Sequence, residues 1–548
     1  MSALIIRKAT AMNRLLPLLA SAAALLLTAA AQAAAPGITG PAFALTAQPA
    51  YLTQPDGQAV YSWGYGCTTP PASARFVPAT SPAGFCNTMQ VPGPTLVVTE
   101  GQTVTVTLTN ALPAAAGNTS ILFPGFNVTT TDGVTGLLTH EAAPGGTVSY
   151  TFVASTPGTR AYYSGTQGDL QVEMGLYGAI IVLPNGAPTN GSCPTHNNAA
   201  GLNTAGTALL SGTAGESDFR LTSAGAFRGA AYHLTQSCYD REYLFQFSEM
   251  DPNIHVQALA QVTAANCAGG FGTLNCRLEV PTEPYHPVYF MINGRSMPDD
   301  MDSNYAAQYP HQPYNGNPHM HPGELVLLRI IGQGRWQHPF HEHGNHVRIL
   351  ARDGNLIVSG LTGPSASQLA GPLLFTTTTT PGLAMDGIFY WTGKGLNWDA
   401  YGHHPGSADS LATLSCTPDA NGYNTVNLTA VNYYEWCQDH NKPLQAAPFG
   451  DVAGGGPATL PDANLFTNGA WYGGSPYLGP DATVRATGPT GTTPPSGTIA
   501  NSPTSEAGFA FMWHSHNERE ITTNNIFPGG MLMMMLVDPR AYQIDESK

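Results

Sequence analysis

The sequence predicts an all-β chain of tandem β-sandwich domains, and three observations carry that expectation. Glycine (61 residues) and proline (45) are abundant, which marks many turns. Between the turns lie short runs in which polar and β-branched residues alternate, the pattern of half-buried strands. At 548 residues the chain is longer than a single core supports, so several domains are expected.

The elements follow in chain order. Arg7, Lys8 and Arg14 precede an apolar run over residues 15–30 and the small-residue stretch Ala31-Gln32-Ala33. That is the layout of an export signal occupying residues 1–33, complete also when counted from Met12. No later apolar run reaches bilayer-spanning length, so no membrane span is expected and the location is secreted or periplasmic. Residues 36–184 form a first sandwich, with strands at 102–110, 147–153 and 178–183. A Gly-, Ala-, Ser- and Thr-rich linker occupies 185–236. The second domain, 237–540, has strands at 242–248, 288–294, 324–331, 347–350, 387–391 and 531–537, and a surface insertion around 441–505.

Charged residues make up 10% of the chain and the net charge is −15, so no nucleic acid partner is expected. Eight cysteines, all beyond the signal, fit an oxidising compartment. Nearness in sequence groups Cys67 with Cys86, Cys267 with Cys276 and Cys416 with Cys437, leaving Cys193 and Cys238. Other connectivities remain open at this level.

The chemistry concentrates in two stretches, Gln337-His338-Pro339-Phe340-His341-Glu342-His343-Gly344-Asn345-His346 and Trp513-His514-Ser515-His516. They hold six of the 17 histidines. A His-x-His pair on a strand places both imidazoles on one face, and two such pairs brought together make a transition-metal pocket. The alternative is a set of imidazoles hydrogen-bonded to one another and to nearby backbone. Glu342 or water is expected to complete a metal shell. His319-Met320-His321 and His403-His404 read as exposed loop histidines, with copper capture as the alternative. Met531, Met533, Met534 and Met535 read as core.

These residues resemble the multicopper oxidases, built of cupredoxin (plastocyanin-like) domains. His338-Pro339-Phe340-His341-Glu342-His343-Gly344 is similar to the family's HPxHLHG motif, and His514-Ser515-His516 stands where the family has HCH. Pro92-Gly93-Pro94-Thr95 with Glu100-Gly101, and the run from Gly175 to Val182, add to the match. The resemblance implies tandem cupredoxin-like Greek-key β-sandwiches, copper as cofactor with another transition metal as the alternative, and His341, His343, His514, His516 and His338 as metal ligands. It also implies a small-molecule or metal substrate and, for two-domain members, a homo-oligomeric trimer.

The chain departs from the pattern at several ligand positions. Of the blue-copper triad only His338 remains, since Ser515 stands for the cysteine and Glu520 for the second histidine. Without partners, His338 reads as a packed or hydrogen-bonded residue, and Glu520 as a surface salt bridge or a carboxylate for a hard metal. Thr119-Ser120-Ile121-Leu122-Phe123-Pro124-Gly125 aligns with TSIHWHG, so Leu122 and Pro124 replace histidines. Tyr163 and Gly165 replace two more, and Tyr162 and Tyr163 are expected to fill the vacated space. The expected function is an exported, multicopper-oxidase-like protein with a reduced histidine metal site and weak oxidoreductase activity. The alternative is a non-catalytic cupredoxin scaffold in the cell envelope.

Overall fold

The computed structural model describes residues 35–77, 85–191, 193, 229–321, 324–360, 368–391, 474–477, 483–485, 498–500, 508–538 and 544. The proposed export signal, most of the 185–236 linker, His403, His404, Cys416 and Cys437 lie outside them. So does most of the expected insertion, apart from three short strands, one of which (Gly474–Tyr477) pairs with the Gly508–Ser515 strand.

Two pairs of sheets account for most of the described strands. In the first pair one sheet runs Gly158–Tyr163, Tyr177–Leu183, Leu96–Thr99, Gly37–Thr39, Phe76–Val77. Its companion runs Ala59–Cys67, Ala42–Thr53, Thr103–Asn110, Thr147–Val153, Thr129–Asp132. In Thr103–Asn110 the apolar positions point inward as the alternation requires, and Val104, Val106 and Leu108 are buried. Two long strands escaped the sequence reading. Ala42–Thr53 and Ala59–Cys67 form a hairpin whose spaced aromatics Tyr61, Trp63 and Tyr65 all enter the core. Alanine and proline in the first strand, and alanine and glycine in the second, mask the alternation that those aromatics alone signal.

The second pair holds a seven-stranded and a six-stranded sheet. The first is built on Arg241–Met250, Leu325–Gly332, Ala384–Tyr390 and Val347–Arg352. The second runs His319–Met320, Leu532–Val537, Gly508–Ser515, His338–Glu342, Thr376–Thr379. Between them Phe247 lies 4.8 Å from Phe340, and Phe340 lies 6.1 Å from Trp513, measured between ring centres. Met531, Met533 and Met535 are buried in this core, as expected of them. A helix at Pro252–Ala264 was also missed by the pattern reading, although its start is signalled by Asp251, which caps it, and a proline in the first turn.

A buried polar hub joins the two pairs of sheets. Arg329 Nη2 meets Glu242 Oε2 at 2.7 Å and its Nη1 donates to Thr159 Oγ1 at 3.0 Å. Thr159 Oγ1 in turn donates to Asp386 Oδ1 at 2.6 Å. Thr159 belongs to the first pair of sheets, Arg329 and Asp386 to the second. Disulfides link Cys67–Cys86, Cys193–Cys238 and Cys267–Cys276, each closing a short or moderate loop. No helix among the described residues is long and apolar enough to cross a membrane.

Phe340 is the ring on which both sheets of the second sandwich converge. Phe340→Ala is expected to lower unfolding free energy by about 3–5 kcal/mol in denaturant titrations. A loss below about 1 kcal/mol would show that this contact does not carry the core.

Candidate metal centre and its neighbouring charge clamp

The segment His338–Glu342 is a strand, and a strand sends alternate side chains to opposite faces. His338, Phe340 and Glu342 therefore share one face, the inner one, while His341 lies on the other. The adjacent Gly508–Ser515 strand is antiparallel in the register His341↔His514, Phe340↔Ser515 and Glu342↔Trp513. Residues opposite one another share a face, so His341 and His514 meet outside while Ser515 and Trp513 face in. Gly344, at φ +97°, turns the chain after His343, and Trp513 Nε1 secures the turn by donating to His343 O at 2.9 Å.

Four imidazoles gather on the outer face. The His341 ring centre lies 4.9 Å from His343, 5.4 Å from His514 and 4.8 Å from His516. One ligand nitrogen from each of His341, His343 and His514 can be chosen so that all three lie within 4.8 Å of one another. Nitrogens around a single tetrahedral ion at ~2.05 Å would lie roughly 3.3 Å apart, so small side-chain adjustments close the site. His516, half-exposed, stands at the solvent side beside Glu518.

The donor chemistry suits an ion. His514 Nδ1 lies 2.7 Å from Ser515 O, a carbonyl that only accepts, so its hydrogen sits on Nδ1 and the lone pair of the neutral ring on Nε2. His341 Nδ1 lies 2.6 Å from Thr376 Oγ1, an outer partner that orients the ring. Burial, then the neighbouring imidazoles of His343, His514 and His516, push His341 down to about 4. Burial also pushes His514 down, against the Ser515 carbonyl. Rings held neutral near pH 7 are in the metal-binding form.

Glu342 does not complete this shell. It faces the core with Trp513, fully buried, and Thr377 Oγ1 donates to its Oε1 at 3.3 Å. Burial pushes its carboxyl well above the usual range, against the Thr377 contact.

His338 is not part of the cluster either. On the inner face its Nδ1 lies 2.9 Å from Glu520 Oε2 and its Nε2 lies 2.9 Å from Glu249 Oε2, with all three side chains buried. Carboxylate oxygens accept, so a ring that donates from both nitrogens is an imidazolium. Burial alone would lower its pKa, but the hydrogen bonds and charges of Glu249 and Glu520 outweigh that and raise it to about 9. Glu520 is thus a buried partner rather than a surface one, and Ser515 Oγ donates to it at 2.5 Å. Glu249, from the opposite sheet, also accepts from the backbone N–H of Arg335 (2.6 Å) and Trp336 (2.8 Å). The sequence reading missed Glu249; its one signal is an acid continuing the inward series Phe245, Phe247.

The other histidine readings divide. His319-Met320-His321 is not an exposed loop pair: His321 is buried against Glu324 (3.1 Å) and Arg241 (3.3 Å), and His319 Nδ1 lies 2.6 Å from Asp538. His346 packs beside Phe375 at 4.8 Å. In the first sandwich the segments that lack histidines still pair, with Leu122 N donating to Tyr163 O at 2.7 Å. Tyr162 fills that sandwich's core, donating to Pro94 O at 2.8 Å.

A family model described as multicopper oxidase matches residues 77–187, about a fifth of the chain, so this stretch is similar to that family's domain. It contains Leu122, Pro124, Tyr163 and Gly165, whereas the retained histidine pairs lie downstream of it. Laccase abr2 of Aspergillus fumigatus is 36% identical over 98 residues, 17% of this chain and 16% of that laccase. Laccase-3 of Botryotinia fuckeliana is 37% identical over 102 residues, 18% of this chain and 21% of that one. The chain spans less than a quarter of the length of these curated relatives. Among solved structures, the blue copper oxidase from Nitrosomonas europaea overlays with a TM-score of 0.40 at 14% identity, covering 90% of this chain and 85% of that one. The multicopper oxidase mgLAC overlays with a TM-score of 0.39 at 14% identity, covering 92% and 88%. The described fold is all-β, built of two pairs of sheets.

The clamp sets a pH dependence. A histidine whose folded pKa is raised from 6.5 to about 9 contributes stability that is complete below 6.5 and lost as pH rises through 9. Melting temperature is expected to fall across that window, and the His338→Asn variant to melt lower without the same fall. Parallel curves for the two proteins would refute the clamp. Separately, Glu342→Leu is expected to raise the melting temperature while leaving metal stoichiometry unchanged, and loss of metal would put Glu342 back in the shell.

Proposed function

We propose that this is an exported, multicopper-oxidase-like protein that holds one copper or other transition-metal ion at His341, His343 and His514, with His516 at the solvent side. The observation that carries the proposal is the gathering of three imidazoles whose ligand nitrogens lie within 4.8 Å of one another. A copper ion there would supply one-electron redox chemistry, and a zinc ion Lewis acidity. The chain's own residues orient the ligands, through Thr376 on His341 and the Ser515 carbonyl on His514. Weak oxidoreductase activity toward a small molecule or a metal ion is part of the proposal. So are the two-domain division at 36–184 and 237–540 and assembly as a trimer. Export is supported by the signal-like stretch at 1–33 and by the three disulfides.

A second reading is a non-catalytic scaffold, favoured by one observation. His338, which the resemblance makes a blue-copper ligand, lies between two carboxylates, and Ser515 stands where the resemblance expects the thiolate. Copper loading of the purified full-length chain, followed by elemental analysis and electron paramagnetic resonance, tests both. About one ion per chain is expected, with an uncoupled Cu(II) signal and no intense blue band. The His514→Ala/His516→Ala variant should lose that ion. Protein that stays metal-free after loading would leave the scaffold reading standing.

A further inference from the structure

The His338 strand presents imidazoles on its outer face and a charged residue on its inner face, and the two faces are mechanically one object. We propose that Glu249, His338 and Glu520 are the positioning residues of the imidazole cluster: their clamp fixes the register in which the two histidine-bearing strands meet. The inference rests on reading the cluster as a metal site.

Four connections carry it. His338 begins the strand that ends in His341 and Glu342, and its Nδ1 reaches Glu520 at 2.9 Å. Glu520 follows the second strand and is tied back to it, since Ser515 Oγ donates to Oε2 at 2.5 Å and Asn517 Nδ2 to Oε1 at 2.9 Å. Ser515 lies between His514 and His516 with its side chain on the opposite face. The clamp therefore grips the second strand from behind, at the residue between its two imidazoles. Glu249 closes the other side from the facing sheet at 2.9 Å, itself anchored by the Arg335 and Trp336 amides that lead into His338. A shift of one residue between the strands would reverse every inner and outer side chain, breaking the clamp and scattering the imidazoles together.

The clamp is not itself a second metal site. Its two carboxylates meet opposite nitrogens of one ring and do not converge on a common point. The cohesion that a metal would give the end of the sandwich comes instead from two charge-assisted hydrogen bonds to one imidazolium.

The test is Cu(II) titration of the full-length chain in the wild type, in Glu520→Gln, and in Val106→Ala, a core substitution in the other sandwich that lowers the melting temperature without touching either strand. Glu520→Gln is expected to weaken Cu(II) binding by about tenfold or more and to change the hyperfine splitting of the bound ion. Val106→Ala is expected to keep wild-type affinity and spectrum. Should Glu520→Gln fail to fold, Ser515→Ala, which cuts only the link from clamp to strand, is expected to show the same two changes in weaker form. Wild-type affinity and spectrum in whichever of these variants folds would overturn the inference, as would an equal loss in Val106→Ala. Failure of the wild type to bind Cu(II) would instead sink the metal-site reading.

Discussion

A β-strand has two faces and every residue belongs to one of them, and the second sandwich of this protein is arranged around that constraint. Over His338–Glu342 the inner face takes a charged ring, an aromatic ring and a carboxyl, and the outer face takes an imidazole. The neighbouring strand answers in kind, with Trp513 and Ser515 inside and His514 outside. Two chemistries thus occupy one pair of strands back to back. The spacing of three residues between His338 and His341 places them on opposite faces, so these two rings do not meet at one ion.

The inner site shows how a β-sandwich closes one end of its core with charge. Burying an isolated imidazolium is costly, and so is burying two carboxylates. Together they leave one net negative charge, which the amides of Arg335 and Trp336, the hydroxyl of Ser515 and the amide of Asn517 solvate. A single-partner deletion is therefore more disruptive than the net worth of the group suggests, because it strands the remaining charge. Glu342, farther along the same face, is the contrasting case: it meets the Thr377 hydroxyl rather than a cation, and burial raises its carboxyl well above the usual range.

Much of the fold was legible in advance because local pattern and tertiary burial agree. The strands expected at 147–153 and 531–537 appear as Thr147–Val153 and Leu532–Val537; Cys67–Cys86 and Cys267–Cys276 are bonded as nearness suggested, and the remaining Cys193 and Cys238 are bonded to each other. The four outer histidines were legible for a similar reason, since His-x-His announces a shared face. Less visible were the hairpin Ala42–Thr53 with Ala59–Cys67, whose small residues dilute the alternation, and the burial of His319-Met320-His321. That last segment is bracketed by prolines and reads as loop, yet it pairs with the closing strand, His319 opposite Leu536.

By itself the sequence determined the all-β class, the two imidazole pairs and the absence of a thiolate beside them, because each depends on residues near one another in the chain. Only the tertiary structure decided what became of His338. Its partners lie 89 residues upstream and 182 residues downstream, on an opposite sheet and on a short turn of helix. No periodicity links positions so far apart. What brings them together is packing of the two sheets, and what makes the contact an ion pair is the carboxylate at each ring nitrogen, which outweighs the burial that opposes charge.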